Sequence, residues 1–501
     1  LGVRYAVEGS VRKADGVLRI SVQLVSTETG AHLWADRFDV GRAGAGYDSD
    51  NIVRQITFVL QARLTDADDA RNAQERPANP DFNDTLTRAQ AIYNRPWSPE
   101  KTAQLMALYE RAVELDPSSA IALAGLAEAL LGSVPQFSIE DPTAPAKFRR
   151  AEGLIAQAEV LRPNDWQVML ARLLLLNRQF RCPELVPFAQ RISDAYPNLS
   201  APHFLQGRCL MTAGKAADAI PRFKHAIHVH PRNPDQDNRY SAIGYALLFL
   251  GRYEEAISSF QQALGVNPAA GARSRANNYA AIAAAQALAG DVAAAHVSAA
   301  EATRLRPTLT ARSYFQLNVT NPEQHNAPNP VYSEQVSRMR DGMRLAGIRD
   351  HADEDADPNL PPDDVLRADY EAPTPIVVPG ARTIRTQDLA VLLEHRKPLV
   401  VDVIAWGKSV PGAIGLWGAG IGGSTTDEFQ ERLRQKMQQL TRGDRSVAIV
   451  TVAWNAERHH GRNLTLRLVR LGYTEVYWFR GGREAWEAAG LPVTEVSMQD
   501  W

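Results

Sequence analysis

Cysteine is nearly absent from this chain. Two occur in 501 residues, Cys182 and Cys209, and none follows Cys209. That excludes a disulfide-rich scaffold and a cysteine-rich metal centre, and ordinary packed thiols fit a reducing compartment. An excess of one charge is also missing. Lys and Arg number 55 against 57 Asp and Glu, for a formal net charge of -2, which gives no electrostatic case for a nucleic-acid partner. No apolar run approaches the length of a membrane span. No secretory leader is legible at the N-terminus. These absences together lead to the expectation of a cytoplasmic protein. What is present is ordinary for a folded chain, with 45% hydrophobic and 22% charged residues. A length of 501 residues exceeds one hydrophobic core and implies about two to four domains.

The first seventy residues read as three strands and a helix. RYAVEGSVRKADG, VLRISVQLVSTETG and AHLWADRFDV alternate in polarity, with turn signals at Asp15-Gly16 and Thr29-Gly30. Asp50 then stands as an N-cap before the helical spacing of DNIVRQITFVLQARL. There is no Gly-rich phosphate loop in this stretch. The chain opens at Leu1 inside a pattern, so a fragment of a longer protein is expected. EGSVRKADGVLRISVQLVSTETGAHLWADRFD resembles the end of the TolB-like domain of bacterial multidomain regulators. That resemblance implies a small α/β fragment over 1-70 in a signalling context, and leaves open a cyclase domain upstream.

The middle of the chain repeats. Proline recurs after helical segments at Pro117, Pro163, Pro197, Pro231, Pro268 and Pro307, at intervals of 46, 34, 34, 37 and 39 residues. Gly207, Gly244 and Ala283 keep step with Gly214, Gly251 and Gly290. Ala219, Ala256 and Ala295 keep step with Ala226, Ala263 and Ala302. Small residues recur where helices approach closely, and proline where each helix stops. The pattern, clearest in GYALLFLGRYEEAISSFQQALGVNP, resembles the tetratricopeptide repeat (TPR). The resemblance implies an α-helical solenoid over 78-323 whose groove binds a peptide or partner protein. Arg208, Asn238, Arg239, Tyr245, Asn277 and Asn278 are the groove candidates. His225, His228 and His230 in KHAIHVHP have no carboxylate to complete a ligand set, so no metal and no cofactor is expected.

Residues 324-373 read as a capping helix, SEQVSRMRDGMRLAGI, and then HADEDADPNLPPDD. The second part is acidic, contains proline and offers little apolar surface, so 350-373 is expected to be an extended, mobile linker. From 374 to 501, strands (PLVVDVI, SVAIVTVA, TEVYWF) alternate with helices (DLAVLLEHR, DEFQERLRQKMQQL, RNLTLRLVRLG, GREAWEAAG). This alternation predicts a parallel sheet covered on both faces, with any ligand beyond the strands' C-terminal ends. The aromatic set Trp454, Tyr477, Trp478 and Trp486 is a candidate core.

VVDV followed by VPGAI, and LGYTEVYWFRGGREAWEAAGLPV, resemble rhodanese. SVPGAIGLWGAGIGG is similar to a subgroup linked to quinone-dependent alcohol catabolism. Counting back from Leu471-Gly472-Tyr473 sets Asn463 on the family's helix Asn and Trp454 on the position of the catalytic cysteine. Arg458, His459 and Arg462 fall on the second cysteine and the two tryptophan positions. Sulfur transfer needs a thiolate, which the whole domain lacks. The resemblance therefore implies a non-catalytic domain. Three functions remain in view. The first is a scaffold with two recognition modules. The second is an enzyme or sensor holding a small anion with Arg458, His459, His460, Arg462, Asn463 and Trp454, with His459, His460 and Asp402 as acid-base candidates. The third is sulfur transfer with a thiol borrowed from Cys182 or Cys209.

Overall fold

The computed structural model describes the chain except residues 1-2, 15-16, 41-52, 54-55, 58, 61-62, 69, 72-80, 94, 96-98, 135-142, 232, 234, 269, 317-328, 406 and 500. The Asp15-Gly16 turn and the Asp50 cap lie outside the described residues. Contacts divide the chain into two compact units. One comprises 1-134, 146-211 and 215-246, and the other 135-145, 212-214 and 247-501.

The first unit opens with an antiparallel sheet in the order β1-β2-β3: β1 (Tyr5–Ala14), β2 (Val17–Ser26) and β3 (His32–Val40). One face carries Val22, Leu24 and Phe38, and Val59 packs against it. Alternation in β2 is the cause, since residues 22, 24 and 26 point one way.

Helices then come in pairs. They are α1 (Phe82–Tyr93) with α2 (Pro99–Leu115), α3 (Ala120–Ser133) with α4 (Ala144–Leu161), α5 (Trp166–Arg178) with α6 (Cys182–Ala195), and α7 (Ser200–Thr212) with α8 (Ala216–Val229). The series continues with α9 (Gln236–Phe249) and α10 (Tyr253–Val266), then α11 (Ala272–Leu288) and α12 (Val292–Leu305). All six marker prolines stand two residues beyond the last residue of the second helix of a pair, where a missing N–H and the restriction on the preceding residue end the helix. The small residues do the packing. Ala219, Ala226, Ala256, Ala295 and Ala302 are fully buried. A Cβ on Gly207 would sit 2.5 Å from the Phe223 ring, so only glycine lets those two helices close. Gly214, Gly251 and Gly290 end first helices at φ of 75°, 76° and 93°, a left-handed conformation that glycine adopts without strain.

The cysteines depart from the expectation of free, packed thiols. Cys182, the first residue of α6, and Cys209 in α7 form a disulfide. Spacing along the chain gave no sign of it. The repeat brings the start of one second helix beside the next first helix, with the two Cα atoms 5.5 Å apart. A pair of joined thiols no longer implies a reducing compartment. Among the described residues no helix is long and apolar enough to cross a membrane.

The second unit carries α10, α11 and α12, then α13 (Ala311–Gln316), α14 (Pro330–Leu345) and the C-terminal domain. Its strands are β4 (Arg382–Ile384), β5 (Leu399–Asp402), β6 (Lys408–Ser409), β7 (Ile414–Gly415), β8 (Ile449–Val452), β9 (Val476–Phe479), β10 (Thr494–Glu495) and β11 (Ser497–Met498). Six make one sheet in the order β11-β7-β5-β8-β9-β4, and every pairing in it is parallel. β8 and β9 are buried throughout, as central strands covered on both faces must be. Helices α15 (Thr386–His395), α16 (Glu428–Thr441), α17 (His459–Arg470) and α18 (Gly482–Ala488) accompany them. The three long strands were legible. The two- and three-residue strands were not, because such pieces carry no periodicity.

Residues 350-373 correct the expectation of a mobile linker. They form no regular element, yet they are bound into the second unit. Leu366 packs with Val378, Leu466 and Trp478. Asn463 pairs with the backbone of Arg367 on both sides, accepting from its N–H at 3.1 Å and donating to its carbonyl at 2.8 Å. The segment holds by satisfying polar groups rather than by burying apolar area, a property that composition does not reveal.

Candidate functional site

The loop between β8 and α17 lies at the C-terminal end of the sheet, as expected, and brings together the residues singled out there. All are inside. Exposure is 2% for Trp454, 3% for Arg458, 4% for His459, 1% for His460, and 0% for Arg462 and Asn463. Trp454, at the position that the rhodanese resemblance gives to the catalytic cysteine, packs in an apolar cluster with Val401, Leu416, Leu464 and Leu468.

The charges of this loop are already neutralised within the chain. Arg462 donates to the carbonyls of Val365 and Asp363, at 2.8 and 2.7 Å, and to the Asp363 carboxylate. Arg458 pairs with Glu371, which also meets Arg273 at 2.7 Å and Arg306 at 3.3 Å. Burial opposes ionisation of Glu371, but Arg458, Arg306 and Arg273 overcome it and hold the carboxyl down to about 2. The histidines are neutral. Burial, helped by Arg462, lowers His459 to about 4, and burial drives His460 well below the ordinary range. His460 stacks on Tyr370, with ring centroids 4.3 Å apart, and the His459 N–H donates to the Tyr370 carbonyl. The expected anion cradle is therefore occupied by residues 363-371 of the same chain, and its first helical N–H is used.

Asp402 is no partner for the histidines. It is fully buried and accepts from the Ile404 N–H, the Ser409 hydroxyl and Arg483 Nε. The borrowed thiol also falls away, since Cys182 and Cys209 are joined to each other. The reading from sequence missed a set of structural arginines. Arg467, fully buried, donates to three carbonyls, to Gln430 and to the Asp427 carboxylate. Arg480 clamps the carbonyls of Glu354 and Thr374. Three arginines in RNLTLRLVR at helical spacing (Arg462, Arg467 and Arg470) were the available signal, but helical arginines are ordinarily solvated.

The groove candidates divide. Asn238 is exposed, and Arg208, Tyr245 and Asn277 are partly buried. Arg239 and Asn278 are interior, at 7% and 4% exposure. Arg239 bonds Ser200, Asn233 and the Asp235 carbonyl, so it ties α9 to the start of α7 and to the segment that leads into α9. His225 contacts the buried ring of His203 edge-on at 4.2 Å. Among the described residues no group of His, Cys, Asp and Glu is placed to hold a metal ion.

A model of the tetratricopeptide repeat matches residues 238–269. Over 127 residues, 25% of this chain, the sequence is 35% identical to the putative adenylate cyclase 3 of Rhizobium meliloti (strain 1021). The chain spans 21% of that relative's length. Among solved structures, pilF of Pseudomonas aeruginosa is 18% identical with a TM-score of 0.35, covering 46% of this chain and 93% of that one. A thermophilic TPR protein of Thermus thermophilus is 16% identical with a TM-score of 0.33, covering 40% and 98%. Residues 238–269 thus match a tetratricopeptide repeat, within a run of paired helices that follows a small N-terminal sheet and precedes a C-terminal parallel sheet with helices.

Proposed function

We propose that the protein is a non-catalytic interaction scaffold whose helical repeats take a peptide or a partner protein along their first helices. One observation carries this reading. Asn238 is exposed on its first helix and Arg208, Tyr245 and Asn277 are half-buried, while the small and apolar residues of the same repeats are consumed in packing. Stacked repeats offer such residues along an extended surface. The C-terminal domain, read as a rhodanese-like domain without its thiol, is the second recognition module. The N-terminal sheet, read as the end of a TolB-like domain, ties the chain to a signalling arrangement. The likeness to a putative cyclase over 127 residues supports that context.

The test is affinity capture from a bacterial extract with the full chain and with a triple variant, Arg208→Ala, Asn238→Ala and Tyr245→Ala. Proteins held by the unmodified chain should fall about tenfold on the variant, as loss of a few central contacts produces. Equal capture by both removes the groove from the account.

A further inference from the structure

Helix α3, AIALAGLAEALLGS, contains a single ionisable side chain, Glu128. It lines a small cleft with Gln90 and Tyr93 of α1, Tyr109 of α2, and Trp166 and Gln167 of α5. Three of the four helices involved are first helices of their pairs. The cleft holds about 10 Å³, the space of one water molecule. Tyr93, which is 39% exposed, stands at it and hydrogen-bonds Glu128. No Lys, Arg or His pairs with the Glu128 carboxyl among the described residues. The nearby ammonium of Lys101 lies over the Tyr93 ring, 5.4 Å from its centroid, and donates to the carbonyls of Tyr93 and Arg95, which leaves the rings of Tyr109 and Trp166 to face an arriving cation. Every other described carboxylate discussed above has a cation or a set of N–H donors, whereas this one has a phenol and aromatic walls.

We propose that this cleft is a subsite for one primary ammonium group of a bound partner segment, such as a lysine side chain. The proposal rests on the reading that the first helices carry the binding surface, and names the chemistry that one part of it selects. A carboxylate among aromatic rings attracts a cation twice, by charge and by the rings' negative faces. Size chooses among cations. An ammonium head occupies about the volume of a water molecule, while a planar guanidinium or a trimethylammonium head is larger. Binding also carries a proton signature. Burial pushes the Glu128 carboxyl up to about 8, so near pH 7 it is mostly protonated. An arriving ammonium favours the carboxylate, and the Glu128 proton passes to buffer as the ion pair forms.

The experiment selects binders to the full chain from a random heptapeptide library, in parallel with the near-isosteric Glu128→Gln chain. Peptides from the unmodified chain should be enriched in lysine, and acetylating that lysine should weaken binding about tenfold. Replacing it with arginine or trimethyl-lysine should do the same. Calorimetry at pH 7 in two buffers of different ionisation enthalpy should show release of close to one proton, absent with Glu128→Gln. A thermal melt confirms that the variant folds. Binders without lysine enrichment, or enrichment that survives Glu128→Gln, overturn the subsite while the groove reading stands. Failure to select any peptide removes the groove reading and the subsite with it.

Discussion

Arginine is used in two ways in this protein. In the helical repeats four arginines make local pairs one turn apart, Arg111 with Glu114, Arg181 with Glu184, Arg252 with Glu255 and Arg304 with Glu301, all at the surface, with Arg239 and Arg306 as interior exceptions. In the C-terminal domain Arg458, Arg462, Arg467, Arg480 and Arg483 are 0-3% exposed. They reach partners 37 to 126 residues away. The first use adds little and leaves the fold to small residues and prolines. The second makes charge part of the interior, where removing one partner strands the other. A surface that binds partners can therefore be altered cheaply in the repeats, whereas the loop Trp454–Asn463 cannot be changed without unlocking residues 350-373.

The contrast predicts a ranking. Arg467→Met should cost most, about 3-5 kcal/mol in denaturant unfolding, because it leaves the buried end of α17 and Asp427 without their partner. Arg252→Ala, the matched change at an exposed pair, should leave the melting temperature unchanged. Comparable losses from the two would break the comparison. Next comes reduction of Cys182–Cys209, whose ends lie 27 residues apart. Closing a loop of that size is worth about 3 kcal/mol, read as a lower melting temperature in a strong reductant. Glu371→Gln should follow, at about 1-3 kcal/mol, by leaving Arg458 and Arg306 buried without a counter-charge.

Acid sharpens the same point. Glu371 has a folded pKa below its unfolded value, so its contribution is present above about pH 4.5 and lost as pH falls toward about 2. His459 is held neutral, so its contribution is present above about pH 6.5 and lost as pH falls toward about 4. Unfolding of the second unit, followed by hydrogen exchange, should show both windows. The smallest effect has the opposite sign. Glu128 is raised from 4.5 to about 8, so it costs stability increasingly across that window as pH rises, and Glu128→Gln should stabilise the chain at pH 8 by about 1-2 kcal/mol.

Legibility followed periodicity. Helix ends at Pro117 through Pro307, the packing of Ala219 and its counterparts, and the strands holding Val400, Val450 and Tyr477 could be read because each repeats a local rule. The disulfide could not, since it depends on which helices become neighbours. Residues 350-373 were misread because polar, proline-bearing sequence was equated with mobility, and the donors that hold it, Arg462, Asn463 and Arg480, lie about 100 residues later. At the loop, residue types pointed to an anion site, while the satisfied partners Asp363 and Glu371 were invisible in the local pattern.

The central claim is that the first helices of the repeats meet the partner. Photo-crosslinking tests it most directly, with a benzoylphenylalanine at Asn238 or Tyr245, and as a control at Val297, which is 73% exposed on the second helix α12. The account predicts discrete crosslinked partners from Asn238 and Tyr245 and none from Val297. Crosslinks from Val297 alone, or from none of the three, would contradict it.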